Sequence, residues 1–384
     1  MNVLYIVGGE GNRYGSERIA ISLLSAGKEN GINYTVIIAH EGAVSDTCAR
    51  LGINYFIIPF TFFVYKAMNS MALDCIKKTI WRARSEFLTK RAIRIIEKKV
   101  DMKSIDIIHT NLSRDLLGGL LAERNNIPHV WHIQELYKAH YQLSFLRKNQ
   151  IEWMGSHANL FLAISDTVAR EWIESGLPEE KVSVVFNGIE MTSIIPKDTP
   201  RCGGGLRIVM VGHIVPAKGQ LLVIERIGKL PKDIKNNIKI DLIGGGKTSY
   251  KELIRKKAEE DGINLTFRGY CDNVEEILYD YDIGINCSKG EGFGLTTVEY
   301  MAAGLCPVVA NTGANEEIVH NTKNGYVFDY YDDNSLPSLI SYLYFHQDEM
   351  NRTAISARKY VTKEYSAEKM QQEVYSFYCT LMKR

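Results

Sequence analysis

The segment from Asp282 to Ala310 constrains the fold more than any other part of the chain. It opens on an apolar run, Ile283–Cys287, passes glycines at 290, 292 and 294, and continues as a helical pattern. Gly304 stops that pattern, and a second apolar run, Cys306–Ala310, follows. This reads as strand, glycine-rich loop, helix and strand. Strands that are apolar without alternation are buried on both faces, the condition of a parallel sheet covered by helices on each side.

The same alternation recurs along the chain. In the first half, apolar runs at Asn2–Val7, Tyr34–Ala39, Tyr55–Pro59, Ile105–His109 and His129–Ile133 predict strands, and Ser16–Asn30, closed by Gly31, predicts a helix. The pattern restarts with strands at Leu206–Val211, Ile238–Ile243 and Leu265–Phe267 and a helix near Gly219–Lys229. Asp272 to Glu275 has the spacing of a capping box opening a further helix. A polar stretch with prolines and consecutive glycines separates the halves. The expected fold class is α/β, with two doubly wound Rossmann-like domains facing a cleft. The expected bounds are 1–190, a linker at 191–205, and 206–362. Residues 363–384 form a terminal helical pattern.

The length of 384 residues suits two domains. The net charge of +1 gives no basis for general nucleic-acid binding. Seven dispersed cysteines form no CxxC pair, which argues against a zinc or redox motif and fits reduced thiols in the cytoplasm. The N-terminus reads directly as a strand rather than a signal peptide, and no run reaches the ~20 apolar residues of a spanning helix.

The loop at 290–294 carries the chemistry. Its glycines let backbone approach a ligand, and the free amides at the following helix start favour an anion such as a diphosphate. Glu291 and Glu299 are separated by seven residues and flank that anion site. Carboxylates accept the hydrogen bonds of sugar hydroxyls, so a nucleotide sugar satisfies both.

These residues resemble the Glu-x7-Glu motif of retaining glycosyltransferases of the GT-B fold, particularly glycosyltransferase family 4. Val184 to Glu190, Val211 to Gly219 and Ala310 to Val319 resemble further family segments in the same order. The resemblance implies that Lys218 holds the donor diphosphate, Glu299 the ribose and Glu291 the donor sugar. Gly212, Phe293, Gly294 and Leu295 would line the site, and Arg268 to Tyr270 would lie near the base. His213 stands where the family commonly has arginine. The implied reaction retains configuration, with the β-phosphate taking the acceptor's proton and no metal or other cofactor. A UDP-linked hexose is the expected donor and GDP-mannose the alternative. The expected acceptor is a saccharide or a lipid-linked saccharide, in cell-surface polysaccharide synthesis.

In the first half, Gly9, Glu10, Gly11 and Gly15 lie between a strand and a helix. The dinucleotide fingerprint fails because its third glycine position is Tyr14. Gly15 to Arg18 resembles a family 4 segment facing donor phosphates or acceptor. His132 and Asn111 end strands and are candidate contacts there; by resemblance, His132 touches the donor sugar. From Asp74 to Val100 nine basic residues meet three acids among isoleucines and aromatics, with Phe60 to Tyr65 just upstream. This suggests an amphipathic helix either on an anionic membrane surface, which would make the protein peripheral, or packed on the sheet. Two rival functions share these features: a nucleotide-sugar epimerase and a non-catalytic nucleotide-sugar-binding subunit.

Overall fold

A computed structural model describes residues 1–8, 15–66, 71–137, 143–197, 204–271 and 273–383. The chain divides into two units, Met1–Gly188 joined by the helix that begins at Ala367, and Ile189–Ser366.

In the first unit the order is β1 (Asn2–Val7), α1 (Gly15–Ser25), β2 (Asn33–Ile38), α2 (Ala43–Leu51), β3 (Asn54–Ile57), β4 (Val64–Lys66), α3 (Met71–Lys99), β5 (Ile107–Asn111) and α4 (Leu117–Asn125). Then come β6 (His129–Ile133), β7 (Leu143–Phe145), α5 (Gln150–His157), β8 (Leu160–Ala163), α6 (Asp166–Glu174) and β9 (Val182–Val184). Seven strands form a parallel sheet in the order β3-β2-β1-β5-β6-β8-β9. The chain winds outward from β1 in one direction, then from β5 in the other. The carboxyl ends of β1 and β5 are therefore the switch point, where ligands of such sheets bind. Strands β4 and β7 form a separate antiparallel pair.

The second unit repeats the plan with β10 (Leu206–Val211), α7 (Gln220–Ile227), α8 (Lys232–Lys235), β11 (Ile238–Ile243), α9 (Thr248–Glu260) and β12 (Asn264–Gly269). It continues with β13 (Ile283–Asn286), α10 (Leu295–Ala303), β14 (Cys306–Ala310), α11 (Asn315–Ile318), β15 (Tyr326–Phe328), α12 (Ser335–Phe345) and α13 (Gln347–Glu364). The last helix, α14 (Ala367–Met382), packs with the first unit. Six strands lie in the order β12-β11-β10-β13-β14-β15, all parallel, so the switch point falls between β10 and β13. Ile208, Ile240, Leu242, Ile283, Ile285 and Val308 are buried at the centre of its core.

Three expectations need correction. The helix at 16–30 ends at Ser25, and turns occupy the rest. The segment after Asp272, itself outside the described residues, forms two short 3-10 turns at Val274–Glu276 and Leu278–Asp280. Its cap is Asn273, and no α-helix follows. The basic segment is one long helix, α3, but its apolar residues do not share a face. Ala92, Ile93 and Ile96 are buried, whereas Leu73, Ile76, Ile80, Trp81 and Phe87 are exposed. Phe60, Phe63 and Tyr65 are core residues.

Candidate functional site

The second unit brings most of the expected residues to its switch point. β10 gives way to Gly212, and the chain returns through a 3-10 turn, Pro216–Lys218, to Gly219. Gly219 has a φ of +73°, and a Cβ there would lie 2.3 Å from the Cys287 carbonyl oxygen. Only glycine lets this loop close on the end of β13. Lys289 N–H donates to the Ala217 carbonyl at 3.0 Å, joining the two loops a second time. Lys218 and Glu291 meet as a result: Lys218 Nζ donates to Glu291 Oε2 at 3.0 Å.

Glu291 is buried and held from several sides. Its carbonyl accepts from Ala314 N–H at 2.9 Å. Asn286, the last residue of β13, donates from Nδ2 to Thr297 Oγ1 at 3.0 Å and lies 3.4 Å from Glu291 Oε2. Thr312 Oγ1 donates to the Ser288 carbonyl at 2.7 Å, fastening the intervening loop. Gly294 then caps α10 with no side chain, leaving its first amides open at the positive end of the helix dipole. Leu295 and Thr296 are half-buried there, whereas Phe293 is buried edge-on to Tyr365 at 5.5 Å.

Glu299 is buried one turn into α10. The next residue, Tyr300, accepts from Val211 N–H at 2.7 Å. Burial, with Glu299 and Glu291 nearby, holds its phenol well above the usual tyrosine range.

The glycines after β11 complete this edge. A Cβ on Gly244 would lie 2.0 Å from the Gly212 carbonyl oxygen. Ile214 N–H donates to the Gly245 carbonyl at 2.7 Å. His213 is exposed, with its ring against Gly245. Arg268, at the end of β12, pairs through Nε with Asp241 Oδ2 at 2.7 Å, and Tyr281 donates to the same oxygen at 2.7 Å. Tyr270 is exposed beyond the end of β12.

In the first unit, Gly9, Glu10 and Gly11 lie outside the described residues, and Gly15 begins α1. Asn111 ends β5, is buried, and donates to the Ser16 carbonyl at 3.1 Å, while its Oδ1 has no partner. His132 is its register partner on β6. It is fully buried, neither ring nitrogen has a partner, and burial pushes its pKa down to about 3. The imidazole is therefore neutral, fit for a hydrogen bond rather than for charge.

Sequence reading missed several residues of these edges. Asn286 had a weak signal, as a polar residue ending an apolar strand. The group around Glu135 had none: Ser113 donates to Glu135 Oε1 from N–H at 3.1 Å and from Oγ at 2.6 Å, and Arg114 Nε lies 3.5 Å away. His109 and Asp115 were also missed. His109 Nδ1 lies 2.5 Å from Tyr378 Oη on α14. Asp115 is buried, its Oδ1 accepting from Leu117 N–H at 2.8 Å.

Comparison with known proteins follows this geometry. An uncharacterized glycosyltransferase of Methanocaldococcus jannaschii is 26% identical over 287 residues, which cover 72% of this chain and 76% of that protein. The capsular polysaccharide biosynthesis glycosyltransferase CapH of Staphylococcus aureus is 22% identical over 229 residues, covering 58% of this chain and 64% of CapH. The chain thus spans less than two thirds of CapH. The fold matches that of Anabaena Alr3699/HepE, solved in complex with UDP and glucose, with a TM-score of 0.79 at 16% identity, covering 99% of this chain and 100% of that one. Glycosyltransferase Family 4 matches residues 14–193, and Glycosyl transferases group 1 matches residues 193–360. These two matches run without a gap from residue 14 to residue 360, and the chain belongs to the GT-B glycosyltransferases.

Proposed function

We propose that this enzyme transfers a hexose-type sugar from a nucleoside diphosphate sugar, with retention of configuration, to a saccharide or lipid-linked saccharide. UDP is the favoured carrier, and GDP-mannose is the alternative donor. The observation that carries the reading is the Lys218–Glu291 pair, 3.0 Å apart beside the open start of α10. Without donor, the two side chains neutralise one another. A diphosphate at the helix start offers Lys218 a stronger partner, which frees Glu291 to accept from a sugar hydroxyl. Charge building on the leaving diphosphate is then met by Lys218 and the amides near Leu295 and Thr296. The acceptor hydroxyl attacks on the leaving-group face, and its proton passes to the β-phosphate. In the first unit the buried, neutral His132 is a hydrogen-bonding group at its own strand edge, fit to orient a neutral hydroxyl. In this reading the charge is met without a metal ion, so transfer persists in chelator.

Two comparisons support the finer terms. HepE was solved with UDP and with UDP-glucose, and CapH is named for capsular polysaccharide synthesis. Among the described residues no helix is long and apolar enough to cross a membrane. Cytoplasmic action is part of the proposal, supported by buried free thiols at Cys48, Cys287 and Cys306.

A thermal-shift screen against UDP, GDP, ADP and their sugars tests the donor. Binding at a hundredfold excess over Kd adds about 2.7 kcal/mol of stability. Stabilisation by uridine compounds is expected, and its loss in Lys218→Ala; a screen in which no nucleotide stabilises the protein overturns the reading. Donor consumed without any acceptor would identify an epimerase.

A further inference from the structure

Helix α3 carries two unlike faces. One is packed: Asp74 accepts from Tyr65 Oη at 2.8 Å, Ser85 donates to the Phe62 carbonyl at 3.3 Å, and Thr89, Ala92 and Ile96 are buried. At 100° per residue, the opposite face of the first half carries Leu73, Ile76, Ile80 and Phe87. Ile80 is 61% and Phe87 66% exposed, and Leu73 and Ile76 are also exposed. Trp81 lies on the flank next to the packed face and is exposed, with Arg84 over its ring at 5.8 Å. A contiguous row of large apolar side chains facing solvent marks an interaction surface.

We infer that the outward face of the first half of α3 docks on an anionic lipid surface, the Leu73–Ile76–Ile80–Phe87 row entering the acyl boundary and the neighbouring cations meeting the headgroups. Charge selects this occupant. Arg84, Lys90, Arg91 and Arg94 are exposed around the row, and the segment from Asp74 to Val100 holds nine basic residues against three acids. A second copy of the chain, docked symmetrically on the same face, would oppose like charges. An anionic bilayer neutralises them and accepts the apolar row, and Trp81 suits the headgroup level.

Sedimentation with vesicles tests this without any donor, so its outcome is separate from the transferase reading. The protein is expected to bind phosphatidylcholine vesicles containing phosphatidylglycerol at least about tenfold more tightly than phosphatidylcholine alone. Added salt should weaken that binding. Ile80→Asn combined with Phe87→Asn should lower the affinity about tenfold or more, and Arg84→Gln with Arg91→Gln should do likewise. These positions are exposed, so the variants should keep the wild-type melting temperature and the same nucleotide thermal shift. Equal binding to both vesicle types, binding to neither, or unchanged affinity in the Ile80/Phe87 variant overturns the inference. So does self-association that those substitutions abolish.

Discussion

Two sheets of one design handle their switch points in opposite ways. In the second unit the edge between β10 and β13 is built from charge: Lys218 against Glu291, with Asn286 and Thr297 satisfying neighbouring atoms. In the first unit the edge around β5 and β6 is lined by neutral groups with open positions, namely both ring nitrogens of His132, Nε2 of His109 and Oδ1 of Asn111. Ion pairs can wait in partly open loops because water tolerates them. Neutral polar groups without partners inside a sheet are a standing expense to stability, and their retention points to use. One edge thus centres on a charged pair, while the other, beside the Arg114–Glu135 pair, presents neutral groups with open hydrogen-bonding positions.

Catalysis separates the two most sharply. With Lys218 on the leaving diphosphate as proposed, Lys218→Ala should lower kcat/KM by about 10²–10³ while the fold survives. His132→Phe removes a neutral hydrogen bond, worth about 0.5–1.5 kcal/mol, so a loss near tenfold is expected. Steady-state kinetics on both variants decide the matter. A larger loss in His132→Phe than in Lys218→Ala breaks the contrast.

Acid should expose the same asymmetry. Burial lowers the pKa of His129 and His132 to about 3 from 6.5, and that of His109 well below its usual value. The unfolded chain therefore takes up protons first between pH 6.5 and about 3, and stability falls as the pH falls through that window. His129 and His132 each withdraw on the order of 3 kcal/mol by about pH 4. All four tryptophans, 81, 131, 153 and 172, lie in the first unit. Their fluorescence reports that unit alone, and its melting temperature should fall from pH 7 to pH 4 more steeply than the far-UV signal of the whole chain. Parallel curves would show that the buried histidines do not set the acid response.

The two edges also differed in how far they could be read from sequence. The charged edge is more local: the glycines at 290–294 and Glu291 share one loop, Glu299 follows on α10, and the family resemblance of Val211 to Gly219 pointed to Lys218. Strands such as Asn2–Val7, His129–Ile133 and Cys306–Ala310 were legible because a strand buried on both faces is continuously apolar. The neutral edge depends on parallel register, which pairs Asn111 with His132 and no short spacing encodes. The bonds from Ser113 to Glu135 and from Tyr378 to His109 span 22 and 269 residues. The pair of β4 and β7 escaped notice because strands of three residues leave no periodic signal. In α3 the expected single apolar face failed because the same composition serves two directions, core-facing at Ile93 and Ile96 and solvent-facing at Ile76 and Ile80.

The last expected effect, opposite in sign to that of the histidines, belongs to Asp115, beside Gly8 in the first unit. A Cβ on Gly8 would lie 3.3 Å from its Oδ2, which has no partner. Burial raises its pKa to about 7 from 3.8, despite the hydrogen bond from Leu117 N–H. The folded protein therefore holds a proton there that the unfolded chain has released, and stability falls as the pH rises from about 4 to about 7. Asp115→Asn keeps the acceptor for Leu117 and deletes the titration, at the expense of a buried amide worth about 1–3 kcal/mol unpaired. The variant should melt below wild type at pH 5 and match or exceed it at pH 8, the difference shifting by on the order of 1–3 kcal/mol. Tryptophan fluorescence at the two pH values measures that shift. A difference independent of pH would mean that Asp115 is already ionised at pH 5.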